Sequence, residues 1–470
     1  MRVLHNISAD FDDPNLIGVA GLVPVMALAQ KAGLPELVAE HVSVPGSAGA
    51  NADLKIGSLV AGMVAGADSI DDMALLRHGG MSRLFSQIYA PSTLGSFLRM
   101  FRFGHVRQLD AVAARFLHEL SNLTPVLDPP ACASSPGFAF VDVDDTVIGV
   151  HGHAKQGAGF GYNQVRGLNA LLATLTVPDA APVIVAQRLR KGSCASARGA
   201  KRLVADAVTT TRRILPAATP VLVRMDSAFY GRNAVHAALA GGAQVSVTTR
   251  MDSRVKATIA TIPEDAWTTI EYTDAVFDDT SEQWISRAEV AEIAFTAFAA
   301  QPQRDWVPGR LIVRRIPDFQ AETHRAAGQD GLFDVWRFHA FFTTTDPVVL
   351  DTVAADKVHR RHAIIEQVHA DLKNSALAHL PSGVFTANAA WLVLAVIAFN
   401  LTRAAATLAA PAAASELARA TTATVRRKLI QIPCRIATSA RRLTLHLPQD
   451  WPWQAAWTQL NDRVADPPSP

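Results

Sequence analysis

FAFVDVDD, from Phe138 to Asp145, is the stretch on which the fold turns. Strand alternation puts Phe138, Phe140, Asp142 and Asp144 on one side, and Val141, Val143 and Asp145 on the other. Two further apolar runs, NALLATLTV and PVIVAQRL, follow, so the segment opens with three consecutive strands. A helical pattern through Leu203, Val204, Ala207, Val208, Thr211 and Leu215 leads into PVLVRMDS, and a second helix leads into AQVSVTTR. The order β-β-β-α-β-α-β makes the later strands parallel and covers both faces of the sheet, hence their nearly continuous apolar character.

On the N-terminal side, residues up to about Asp128 read as helical, with LVPVMALAQKAG and IGSLVAGMVAGA apolar at three-to-four spacing. PSTLGSFLRMFRFGHVRQLDAVAARFLHEL begins with a cap signal and carries Arg99, Arg102 and Arg107, the pattern of a DNA-facing helix or of an ordinary amphipathic one. VLDPPACASSPG reads as a linker. On the C-terminal side, WTTIEYTDAVF, RLIVRRI and WRFHAFFTTT suggest a β-rich insertion, and DKVHRRHAIIEQVHADLK has helical period. The expected regions are 1–128, a helical N-terminal DNA-binding domain; 129–250, the first part of the α/β domain; 251–346, the insertion; 347–405, the remainder of that domain; and 406–470, a basic C-terminal region.

The 470 residues are 49% hydrophobic and 18% charged, a balance that buries a large core and excludes a disordered chain. Three scattered cysteines, without C-x-x-C spacing, suggest neither a disulfide framework nor a cysteine metal site. They fit a reducing compartment, and the aspartates in MRVLHNISADFDD argue against a secretory signal, so a cytoplasmic location is expected. AAWLVLAVIAF, Ala389 to Phe399, is shorter than the roughly 20 residues a membrane span needs and reads as a buried helix. Net charge is only +2, but it is segregated. Ala186 to Arg202 holds six cations and no acid, Leu401 to Asp450 eight cations against two acids, and Glu264 to Glu292 is acid-rich. The cationic stretches are candidate phosphate contacts or solvated faces.

Three acids stand where chemistry is expected. Asp144 ends the first strand, and Asp226 follows VLVRM at the C-terminal end of a parallel strand, where open α/β sheets place their sites. If those strands are neighbours, the carboxylates share a crevice, and crowded carboxylates call for a shared proton or a divalent cation. Oxygen ligands favour Mg²⁺ or Mn²⁺. Glu366 is the candidate third ligand, on a helix that carries Lys373 two turns later, with His359 and His362 on the same stripe. Asp142, on the same strand face as Asp144, is a reserve. His362, Glu366 and His369 lack the H-E-x-x-H spacing of a zinc site. Gly157, Gly159 and Gly161 precede a strand rather than a helix, so no nucleotide cofactor is implied. Trp451 and Trp453 read as core anchors.

The combination of VDVDDT, VLVRMDSAFYG and HRRHAIIEQVHADLKN resembles the DDE transposases of bacterial insertion sequences. More narrowly it is similar to the group numbered thirteen-eighty, through HGHAKQGAGFGYNQVRGLNALLATL, LPSGVFTANAAWLVLAVIAFNLTR and RRLTLHLPQDWPW. The resemblance implies a ribonuclease H-like mixed sheet flanked by helices, with a β-rich insertion before the glutamate helix. It maps the family's metal-binding catalytic acids onto Asp144, Asp226 and Glu366, with Mg²⁺ or Mn²⁺ as cofactor. Where the family reads Tyr-x-x-Arg-x-x-x-Glu, this chain has His359 and His362, and Lys373 is retained. Lys373, Arg190, Lys191, Arg198, Arg360 and Arg361 are the expected DNA contacts. The implied activity is cleavage and strand transfer at terminal inverted repeats, with target DNA as second partner, a homodimer on DNA and no membrane. A non-cleaving DNA-binding derivative and a metal-dependent phosphoesterase are the alternatives.

Overall fold

The computed structural model describes residues 7–128, 137–278, 283–317, 336–410, 416–440 and 442–465. The expected linker, Cys132 and Arg441 fall wholly or mainly outside them. The chain forms two compact units. One comprises 1–128, 148–168 and 370–470, and the other 129–147 and 169–369.

The first unit is mostly helical. Helices α1 (Leu22–Lys31) and α2 (Leu34–His41) are separated at Gly33, whose φ of +71° favours glycine, and Pro35 falls in the first turn of α2. Helix α3 (Ala52–Ala65) ends at Gly66, again left-handed at φ +119°. The arginine-bearing stretch from Pro91 is two helices, α4 (Pro91–Arg99) and α5 (Phe103–Leu123). Arg102 occupies the N-cap of α5 and Arg107 pairs with Asp110 at 2.8 Å.

The second unit is built on a mixed sheet. Its strands are β1 (Ala139–Gly149), β2 (Arg166–Thr176), β3 (Val183–Lys191), β4 (Val221–Met225) and β5 (Gln244–Thr248), with helices α6 (Ala200–Ile214) before β4 and α7 (Arg232–Ala240) before β5. Four further strands follow: β6 (Thr268–Asp278), β7 (Gln283–Ala297), β8 (Val307–Pro317) and β9 (Trp336–Thr343). Among the described residues the sheet has ten strands, in the order Gly159–Phe160, β2, β1, β4, β5, β9, β8, β7, β6, with β3 on β2. β1, β4 and β5 are parallel, as their apolar runs suggested, and β9, β8, β7 and β6 continue the sheet antiparallel. Phe138, just before β1, Phe140 of β1, Leu222 of β4, Ile312 and Phe341 form a core against Leu350 and Ala355.

Several described acids of the insertion are paired with arginines from neighbouring strands. Glu289 lies opposite Arg315 across β7 and β8 and accepts its Nε at 2.6 Å, while Glu292 pairs with Arg310 at 2.5 Å. Arg315 also pairs with Glu264 and lies between the rings of Trp267 and Trp336, 4.2 and 4.4 Å from their centroids.

The late stretch read as one helix is two. Helix α8 (Thr352–Arg360) stops, Arg361–Ala363 forms a 3-10 turn, and α9 (Ile364–Lys373) resumes. The single stripe of His359, His362, Glu366 and Lys373 is therefore interrupted. In the first unit, α10 (Phe385–Ala409) extends well beyond the apolar run. It is long and apolar enough to cross a membrane, yet it is buried from Ala387 onward. Arg403 on α10 pairs with Asp371 at 3.1 Å, so it is a core cation rather than part of an exposed basic tail. Strands β10 (Cys434–Ser439) and β11 (Arg442–His446) and helix α11 (Gln454–Ala465) complete this unit. Trp451 and Trp453 make an edge-to-face pair there at 5.6 Å.

Candidate active site

β1 and β4 are adjacent and parallel, with Asp142 opposite Arg224 and Val143 opposite Met225. The next residue on each strand is an aspartate, so Asp144 and Asp226 stand side by side where β4 ends. Asp226 leaves the strand as N-cap of the 3-10 turn Ser227–Phe229, its Oδ1 accepting the Ala228 N–H at 2.9 Å. A carboxylate seated on its own turn has few orientations left.

Both carboxyls are strained electrostatically. Burial pushes Asp144 up to about 7, the Asp226 and Asp145 charges push the same way, and the Asp145 N–H and His362 oppose. Burial raises Asp226 too, against the N–H of Ala228 and the charge of His362. Two half-buried carboxylates that repel each other fit a hard divalent cation, which removes the repulsion and replaces lost hydration. His369 on α9 brings Nε2 to 3.6 Å from Asp144 Oδ2. Glu366 lies on the exposed side of α9, and among the described residues no group of three or more His, Cys, Asp or Glu stands close enough to hold a metal ion.

The neighbouring acids do other work. Asp142 is fully buried; Arg224 binds it through Nε and Nη2, both at 2.7 Å, and His362 Nδ1 donates to it at 2.9 Å. Burial would raise this carboxyl, but Arg224 and then His362 hold it below the usual range. The reserve candidate is thus an internal counter-ion. Asp145, on the opposite strand face, accepts from Asn169 and from Arg190 Nη2, the latter at 2.8 Å.

That contact removes one expected DNA ligand. Arg190 is buried, and its remaining donors go to Asn169 and to the carbonyls of Ala195, Ser196 and Arg198. It braces the loop after β3 from inside. Arg360 is likewise committed, to Asp356 at 2.8 Å and to the Tyr272 ring. Lys191, Arg198 and Arg361 are exposed, and Lys373 is half-buried at the end of α9.

The sequence did not single out Arg224 or Asn169. Arg224 carried one signal, a lone cation inside the apolar run VLVRM, two residues before a candidate acid. His359, expected beside Glu366, is stacked on Phe341 with ring centroids 4.0 Å apart, and both ring nitrogens meet hydroxyls: Ser246 Oγ at 2.8 Å and Thr248 Oγ1 at 3.0 Å.

The profile of a family described as transposase DDE domain group 1 matches residues 3–468. No curated protein matches the chain.

Proposed function

The chain belongs to the transposase DDE domain family, and from that premise we propose that it cuts and rejoins DNA at the ends of a bacterial insertion sequence. The observation that carries this reading is the register of β1 on β4, which sets two half-buried, mutually repelling carboxylates side by side. Asp144 and Asp226 are the metal ligands in this reading, Glu366 is the third, and Mg²⁺ or Mn²⁺ the metal. The strand order β-β-β-α-β-α-β with a parallel centre supports a ribonuclease H-like catalytic fold.

When bound, a pair of divalent ions supplies Lewis-acid stabilisation to an in-line attack on a phosphodiester. The chain's own part begins with Asp226, fixed on its turn, and Asp144, held midway along β1 beside the end of β4. Arg224 and Asp142 neutralise each other one strand repeat further in, so they add no net charge to the crevice. Lys191, Arg198 and Arg361 supply sequence-independent phosphate contacts, and Lys373 a point charge at the end of α9. Residues 1–128 read the terminal repeats, and the protein acts in the cytoplasm as a dimer that joins two ends.

The test is incubation with candidate element ends and Mg²⁺, comparing wild type with Asp226→Asn. Metal-dependent nicking by wild type, lost in the variant while DNA affinity is kept, supports the assignment. Equal nicking by both contradicts it. The exposure of Glu366 favours a second reading, a non-cleaving DNA-binding derivative, for which wild type binds ends and cuts nothing.

A further inference from the structure

We propose that His362 is a catalytic residue whose Nε2 hydrogen is given to the oxygen that leaves phosphorus when the DNA strand is cut. The inference rests on the phosphodiester-cleaving reading above and assigns a role that reading leaves empty.

Asp142 is ionised and accepts hydrogen bonds only, because Arg224 grips both its oxygens at 2.7 Å. His362 Nδ1, 2.9 Å from Asp142 Oδ1, therefore carries a hydrogen and donates it. Arg224 is itself immobilised: it donates to the Val358 carbonyl at 2.6 Å and lies 4.4 Å from the Phe140 ring centroid. Since Arg224 already compensates the Asp142 charge, the bond from His362 is not needed for that. What it does is fix the imidazole ring, leaving Nε2 as the nitrogen available to a ligand.

The ring is placed at the acids. Asp142 and Asp144 share a strand face, about 6.6 Å apart along the strand, and a charge on His362 acts on both Asp144 and Asp226. The His362 side chain keeps 15% of its exposure, against none for Asp142, so part of it reaches solvent. His359 gives the contrast. It is three residues earlier, and both its nitrogens are already taken by Ser246 and Thr248. Of the two histidines in this motif, only His362 keeps a ring nitrogen, Nε2, that these bonds leave unused.

The step balances as follows. Water oxygen forms the new bond to phosphorus and its proton passes to solvent. The bond from phosphorus to O3′ breaks with its electron pair on O3′, which takes the Nε2 proton of a ring protonated at both nitrogens. Solvent then reprotonates the ring.

A substrate with sulfur in place of the bridging O3′ tests this, because a thiolate leaves without a proton. In Mn²⁺, His362→Gln is expected to cut the oxygen substrate about 100-fold or more slower than wild type, and the sulfur substrate within a few-fold of wild type. Its affinity for uncut end DNA in EDTA is expected to stay within twofold. His362→Asn, whose amide can still donate to Asp142, is expected to behave the same way, with the thermal midpoint of each variant confirming that it folds. Equal slowing on both substrates, or loss of DNA affinity in EDTA, overturns the proposal. If wild type cuts neither substrate, the cleavage reading has failed and takes this inference with it.

Discussion

Asp142 and Asp144 stand two residues apart on one face of β1, and their surroundings give them opposite work. Arg224 makes the first an internal counter-ion, while the second keeps no comparable partner and is driven to about 7. Cutting the Arg224 pair leaves a fully buried carboxylate with only the His362 hydrogen bond, which costs about 3–5 kcal/mol. Arg224→Met is therefore expected to lower unfolding free energy by about that amount in urea titrations, whereas Asp226→Asn should leave it unchanged or raise it. His359 gives a pH dependence. Burial first, then the charges of His362, Arg224 and Arg314, outweigh the opposing pull of Asp142 and hold its pKa well below 6.5. The folded ring stays neutral while the unfolded one titrates near 6.5. As pH falls through that value the unfolded chain takes the proton first, so this group leaves stability level above about 6.5 and lowers it below. A shallower acid-side slope in His359→Gln is the expected result; an unchanged slope contradicts it.

At the scale of elements, the strands that were legible are those whose stabilisation is local: β1 to β5 are runs of apolar residues, and burial on both faces is visible in one dimension. β7 was not. Its Glu289 and Glu292 look like surface acids until β8 supplies Arg315 and Arg310 across the ladder, and cross-strand ion pairs leave no sequence period. The break between α8 and α9 was equally hidden, because His359 turns into Ser246 and Thr248 while His362 turns to Asp142, two targets one straight helix does not serve. In the site, Asp226 was readable from the end of β4 and Asp144 from strand period, but β1 does not end at Asp144 as the sequence suggested; it runs on to Gly149. The commitment of Arg190 was not, since its partners Asp145 and Asn169 lie on other strands. Arg315 of β8, held by two tryptophans and two glutamates, ties β7 and the segment leading into β6 to β8. Arg315→Ala is expected to speed amide hydrogen exchange in Thr268–Tyr272 and Glu289–Ala291 at least about tenfold, with β1 and β4 unaffected.

At the scale of the whole molecule, a net charge of +2 conceals cations that differ in role. Arg190 and Arg403 are internal braces, and Lys191 and Arg198 are exposed. Phosphate contacts release counter-ions, so affinity for end DNA should fall steeply with salt. Lys191→Ala and Arg198→Ala are each expected to reduce the slope of log affinity against log salt by about 1, with little effect on sequence preference. The account as a whole depends on Asp144 and Asp226 holding a cation together. Titration of the DNA-free protein with Mn²⁺, followed by electron paramagnetic resonance, measures that directly. Wild type is predicted to bind Mn²⁺ saturably, and the Asp144→Asn, Asp226→Asn double variant, with its fold intact, to lose that binding; equal binding by the two proteins would contradict it.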